Sequence, residues 1–288
     1  MVNSASAIEY YQASDGRRLA LRRYQPAMEP QADVVILHGI ISHSGWYDIS
    51  SLALADRGFA VHALDRRGSG LNGEVPGDID SVKTWLSDVI DYLSQIKSGG
   101  RPIFLFGISW GGKLVPAVAR ARPDLLSGFG MLCPGIYARQ QPGWLKRLGL
   151  GLSGRLGVHH KTVSIPLQEP ELFTDSPRWQ AYIRHDPLTL RRITLRFARQ
   201  DWKLTEHTRS SAPFLHLPSL MVLAGRDRIV DNPRTKNYFT RIASKDKTLL
   251  EYSNSAHTLE FESDVEQYIE DLAAWLRHQT GKSRQHAV

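Results

Sequence analysis

The chain has 288 residues, of which 42% are hydrophobic, 9% aromatic and 23% charged, enough apolar side chain to bury a large core and far from the composition of a disordered polypeptide. Its single cysteine, Cys133, excludes an intramolecular disulfide and a cysteine-based zinc site. Thirty-six Lys and Arg against 29 Asp and Glu give a net charge of +7, which raises nucleic acid and anionic membranes as partners until the charges are located.

The residues up to Leu19 lack a basic stretch followed by an apolar run, so they do not read as a secretory signal. No segment reaches the roughly 18 consecutive apolar residues a membrane span needs, and a cytoplasmic protein is the expectation. Ile8–Gln12 and Leu19–Tyr24, separated by Ser14-Asp15-Gly16, predict a hairpin. Val34–Leu37 has the continuous apolar run of a strand covered on both faces and ends at His38-Gly39. A helix around Tyr47–Arg57 stops at Gly58, and Phe59–Leu64 is the next strand, closed by Asp65. From Ser81 to about Lys97 the residues Val82, Trp85, Leu86, Val89, Ile90, Leu93 and Ile96 share one helical face. Pro102 then leads into the strand Ile103–Phe106, a helix runs from about Trp110 to Arg122, and Gly128–Cys133 is a further strand. This alternation predicts an α/β fold with a mostly parallel sheet flanked by helices, because parallel neighbours need crossover connections.

Between Pro134 and about Pro218 the rhythm breaks into a segment that reads as a mostly helical insertion. It resumes with Ser219–Leu223, Thr248–Tyr252 and an amphipathic helix from about Asp264 to Gln279. The expected organisation is a core of residues 1–134 and 218–280, a helical cap or lid of 135–217, and a flexible tail of 281–288.

The chemistry concentrates at Gly107-Ile108-Ser109-Trp110-Gly111. A G-x-S-x-G pattern between a buried strand and a helix marks a sharp turn that lifts the serine above the sheet edge, with Gly107 and Gly111 where a Cβ would clash. A serine hydroxyl needs a base to take its proton and a carboxylate to orient that base. In this arrangement the chain order is serine, acid, histidine. Of eleven histidines, only His257 lies after a late strand and before the final helix. Asp227, just past Gly225, is the expected acid, with Asp231 in the same loop as its competitor; Asp227 is favoured because a residue near a strand end is held more rigidly. An oxyanion would be met by the backbone N–H of Trp110 and by that of Ile40, in the loop where Gly39 permits the turn and His38 supports it without reacting. Asp65 reads as structural, and His278 and His286 as surface residues.

These residues make the chain resemble the α/β-hydrolase superfamily, and within it the monoglyceride lipase and lysophospholipase group. The likeness is carried by HGIISHSGWY (38–47), DRRGSG (65–70), GISWGG (107–112), AGRDRIVD (224–231) and SAH (255–257), and spans about Ile8 to Gln279. It implies Ser109 as nucleophile, Asp227 as acid, His257 as base and Ile40 and Trp110 as oxyanion donors. It also implies an ester hydrolase working through an acyl-enzyme, with thioesterase or amidase chemistry as the alternative on the same triad. A non-catalytic small-molecule binder on the same fold is the other alternative. The chain departs from the group at Ile41, Ser42 and Trp46, where a small residue, a glutamate and a basic residue are usual; this predicts a less polar entrance suited to acyl or aromatic esters.

The expected partner is a small ester or lipid-like molecule, with no cofactor and no metal. His159-His160 lacks carboxylates at ligand spacing. Nucleic acid is not expected, since no reader motif is present and the basic residues are scattered. Residues 143–158 place leucines on one side and Lys146, Arg147 and Arg155 on another, a pattern that suits transient contact of the cap with a membrane or micelle surface. With Lys161, Arg191, Arg192, Arg196 and Arg199 they assign much of the positive charge to the cap.

Overall fold

The computed structural model describes residues 5–140 and 157–285. Its strands are β1 (Ala5–Gln12), β2 (Arg18–Gln25), β3 (Asp33–Leu37), β4 (Ala60–Leu64), β5 (Ile103–Ile108), β6 (Gly128–Leu132), β7 (Thr162–Ser164), β8 (Arg192–Thr194), β9 (Ser219–Ala224) and β10 (Lys247–Tyr252). Eight of them form one sheet in the order β1-β2-β4-β3-β5-β6-β9-β10. The predicted N-terminal hairpin is present, with β1 antiparallel to β2. β2 runs antiparallel to β4, and every other neighbour in the sheet is parallel. This is the expected α/β fold.

Burial follows the sequence pattern. β3, β4, β5, β6 and β9 are buried along their whole length, as uninterrupted apolar runs demand when helices cover both faces. β10 closes the sheet as an edge and exposes Lys247, Leu249 and Glu251. The helices are α1 (Asp48–Asp56), α2 (Val82–Lys97), α3 (Gly111–Ala121), α4 (Pro177–His185), α5 (Leu195–Ser211), α6 (Asn232–Thr240) and α7 (Val265–Gln285). α2 begins at Ser81, whose hydroxyl accepts the Thr84 N–H and caps the helix. It then buries Trp85 edge-on against Trp110 at 4.7 Å, which ties the surface layer to the turn after β5. Because β3 to β6, β9 and β10 all run the same way, the loops bearing His38, Asp65, Ser109, Asp227 and His257 gather at one rim of the sheet, where α/β proteins place their sites.

Three expectations are revised. The insertion is not only helical: β7 and β8 form a separate antiparallel pair within it. Three-residue strands are too short to show a period of two in sequence. Second, α7 continues to Gln285, through most of the stretch expected as a tail. Asp246 holds that end, accepting from Lys282 Nζ at 2.9 Å and Gln279 Nε2 at 3.1 Å. Third, part of the basic charge assigned to the insertion is structural, since Arg196 pairs with Asp78, and Arg191 donates to the carbonyls of Ile183 and Arg184. Lys146, Arg147 and Arg155 lie outside the described residues, as does most of the amphipathic segment 143–158. Among the described residues no helix is long and apolar enough to cross a membrane.

Candidate active site

Ser109 follows β5 directly. Its φ of +52° is left-handed, a region that only it and Cys133 occupy among the described non-glycine residues. The turn is held by Ser109 N–H to Leu132 O at 2.9 Å, and by Gly112 and Gly135 N–H groups donating to Ser109 O at 3.0 and 2.7 Å. Both flanking glycines are required by space: a Cβ on Gly107 would lie 2.4 Å from the Gly111 carbonyl, and one on Gly111 would lie 2.2 Å from Leu37 O. Holding a serine in this conformation costs on the order of 1–3 kcal/mol, so the packing around the turn must enforce it.

Asp227 and His257 meet in the interior, each 2% exposed. His257 Nδ1 lies 2.7 Å from Asp227 Oδ2, and Asp227 Oδ1 accepts the N–H groups of Ile229 and Val230 at 2.8 Å each. A carboxylate can only accept, so His257 donates from Nδ1–H. Nε2 is buried without a hydrogen-bond partner among the described residues, and no hydrogen bond joins it to Ser109. Asp231, the competing acid, is committed elsewhere: it caps α6 by accepting the Arg234 N–H at 3.1 Å. Cys133 offers its sulfur within 4.8 Å of the ligand atoms of Asp227 and His257. Burial first, and then the Asp227 charge, push its thiol well above the ordinary range, so the thiol stands beside the pair as a neutral group.

The loop after β3 carries the other predicted residues. His38 Nδ1 lies 2.7 Å from Gly39 O, and Nε2 accepts the Arg66 N–H at 2.9 Å. With both nitrogens engaged and burial holding its pKa well below the ordinary value, His38 stands as a neutral group bridging Gly39 and Arg66. The N–H groups of Ile40 and Trp110 donate no hydrogen bond to any described residue. Asp65 is structural: its carboxylate accepts from the N–H groups of Ser44 at 2.7 Å and Leu71 at 2.8 Å.

Sequence reasoning missed the long-range partners. Asp186, just after α4, accepts from Trp46 Nε1 at 2.8 Å and contacts His43 Nε2 at 3.0 Å. Burial raises its carboxyl, but these donors outweigh burial and hold it far below the usual range. Asp201 on α5 accepts from Trp110 Nε1 at 2.6 Å and pairs with Lys113 on α3. Phe173 lies edge-on to His257, 5.8 Å between rings, and to Trp46 at 5.9 Å. Each partner lies many tens of residues away in sequence, so no local spacing could reveal it. Ile41, Ser42 and Trp46, the departures from the family pattern, are all buried. Ser42 Oγ pairs with Tyr47 Oη at 3.0 Å, and Trp46 sits in an aromatic cluster with Phe173, Tyr182 and Phe261.

Glu260 lies three residues beyond His257, buried, with Ser50 N–H donating to Oε1 at 2.8 Å and Oε2 unpartnered among the described residues. Burial pushes its carboxyl up from 4.5 to about 7, an effect the Ser50 contact only partly offsets. Between these values the folded chain keeps a proton that the unfolded chain has lost, so stability falls as pH rises through the window. Glu260→Gln is expected to exceed the parent in stability by on the order of 3 kcal/mol near pH 8, an advantage that shrinks as pH falls from about 7 and is mostly gone by about pH 5. Urea unfolding at both pH values checks this, and a pH-independent difference would contradict it.

A family model for "serine aminopeptidase, S33" matches residues 28–264. An abhydrolase domain-containing protein of Dictyostelium discoideum is 27% identical over 94% of this chain, which spans only 29% of that protein's length. Mouse monoglyceride lipase is 25% identical over 92% of this chain and 88% of its own. The crystal structure of Paleococcus ferrophilus monoacylglycerol lipase superposes with a TM-score of 0.81 at 26% identity, covering 91% of this chain and all of the other. The chain belongs to the serine aminopeptidase S33 family of α/β-hydrolases.

Proposed function

We propose that the chain hydrolyses carboxylic esters by acyl transfer to Ser109. The Ser109 hydroxyl attacks the ester carbonyl while His257 Nε2 takes its proton and Asp227 steadies the imidazolium. The Ile40 and Trp110 N–H groups receive the oxyanion charge. His257 returns its proton to the departing alcohol, then activates a water that releases the acid and frees Ser109.

The observation that carries this reading is the buried Asp227–His257 pair, 2.7 Å apart, which leaves Nε2 on the side of the ring away from the carboxylate and without a partner among the described residues. The two amides without acceptors and the strained serine turn support it further. In this reading residues 135–217 form a cap over a core of 1–134 and 218–280, fastened through Asp186 to His43 and Trp46 and through Asp201 to Trp110 and Lys113. Relatives named for monoglyceride and monoacylglycerol lipase activity and the aromatic side chains next to His257 point to monoacylglycerols and other esters with an apolar acyl group as substrates.

The test is a panel of p-nitrophenyl esters and monoacylglycerols of increasing acyl length, with and without micelles. Hydrolysis that improves beyond the shortest acyl groups is expected. A folded protein that turns over no ester in the panel would overturn the reading.

A further inference from the structure

The peptide unit between Gly39 and Ile40 has two ends that matter. Its N–H is one of the two donors proposed for the oxyanion, so the role inferred for Arg66 rests on that reading. Its carbonyl oxygen, Gly39 O, accepts from Arg66 Nη1 at 3.2 Å and faces His38 Nδ1 at 2.7 Å. The other guanidinium nitrogen, Nη2, donates to Ile40 O and to Ser69 Oγ, each at 3.0 Å. The Arg66 N–H donates to His38 Nε2 at 2.9 Å, which fixes the tautomer that presents Nδ1–H to Gly39 O. The guanidinium also lies over the Trp110 ring, 4.4 Å from its centroid, and Trp110 bears the second proposed donor. The Trp110 indole nitrogen is in turn tied to Asp201. One cation therefore contacts both residues whose amides would meet the oxyanion.

A carbonyl oxygen that accepts from a cation draws electron density from its amide nitrogen and makes the attached N–H a stronger donor. Hydrogen bonds in series polarise one another, and charged donors do so most. We infer that Arg66 is a positioning residue for oxyanion stabilisation, fixing the Gly39–Ile40 peptide and the Trp110 side chain and polarising the Ile40 N–H toward the developing charge. Nothing in the sequence pattern marks it, since Arg66 stands in the DRRGSG turn beside a second arginine. That neighbour, Arg67, turns away to Asp88 and Asp15.

The experiment compares Arg66→Met, which keeps a linear stem without charge, with Arg66→Lys, whose single ammonium cannot span both carbonyls. Active sites are counted by fluorophosphonate titration. For each variant kcat and KM are measured on a p-nitrophenyl ester, together with Ki for a trifluoromethyl ketone that forms a tetrahedral oxyanion. Loss of a whole oxyanion donor costs about 10²–10³ in kcat, so for Arg66→Met a fall of roughly tenfold to a hundredfold is expected, with KM within about twofold. Ki should rise by a matching factor, and Arg66→Lys should lie between. A purely structural role would lower thermal stability or the titratable fraction while leaving kcat per active site and Ki unchanged, and that result overturns the proposal. If Arg66→Met does not fold, Arg66→Lys decides: a parental kcat and Ki overturn the proposal, and matched losses in both support it. Failure of the underlying reading looks different, because the parent itself would then resist both reagents.

Discussion

Ser109→Ala is expected to lower kcat for ester hydrolysis by about 10⁶-fold while leaving the fold intact, since removing a triad nucleophile costs on that order. Both halves come from the site. Ser109 Oγ makes no hydrogen bond to any described residue, and alanine faces the same backbone conformation at φ +52°, so no stabilising contact is lost. The stability change should stay within about 0.5 kcal/mol. The backbone N–H groups of Ile40 and Trp110 remain, so residual activity should still exceed the uncatalysed rate by about 10³–10⁴. Steady-state kinetics on a p-nitrophenyl ester, with thermal unfolding of the same sample, checks both. Retention of more than a few per cent of parental kcat would remove Ser109 from the chemistry.

Asp227→Asn is expected to lower kcat by about 10⁴-fold with a modest effect on KM. The carboxylate forces the proton onto His257 Nδ1. Asparagine keeps an oxygen for the Ile229 and Val230 N–H groups, which sets its amide nitrogen toward the ring. The imidazole then accepts at Nδ1 and carries its proton on Nε2, so it has no lone pair to take the proton of a serine. Asp231→Asn is the control. Asparagine caps helices about as well as aspartate, so kcat should stay within about twofold of the parent. Equal losses in the two variants would contradict the assignment of Asp227.

Much of this architecture is legible in the sequence because its signals are local. The runs Val34–Leu37, Ile103–Phe106 and Ser219–Leu223 are strands buried on both faces, and such strands need no partner to be recognised. The serine turn is legible for the same reason, since the glycines at 107 and 111 answer to neighbours a few residues away and to the end of β3. Asp227 can be preferred over Asp231 from its distance to the strand end, and the hydrogen bonds separate the two. Less legible are the contacts made across the fold. Asp201 reaches Trp110 from 91 residues away and Asp186 reaches Trp46 from 140. Arg66 is visible as a letter in a motif, but its contacts with Gly39, Ile40 and Trp110 exist only once β3, β4 and β5 lie side by side. β7 and β8 pair only because the insertion folds back on itself.

The most direct test of Ser109 as the nucleophile is to map the covalent adduct of a fluorophosphonate by peptide mass spectrometry on the native protein. One adduct per chain is expected, on Ser109, formed in step with the loss of esterase activity and absent from Ser109→Ala. An adduct at another residue, or full activity in a protein that takes up no label, would contradict that role.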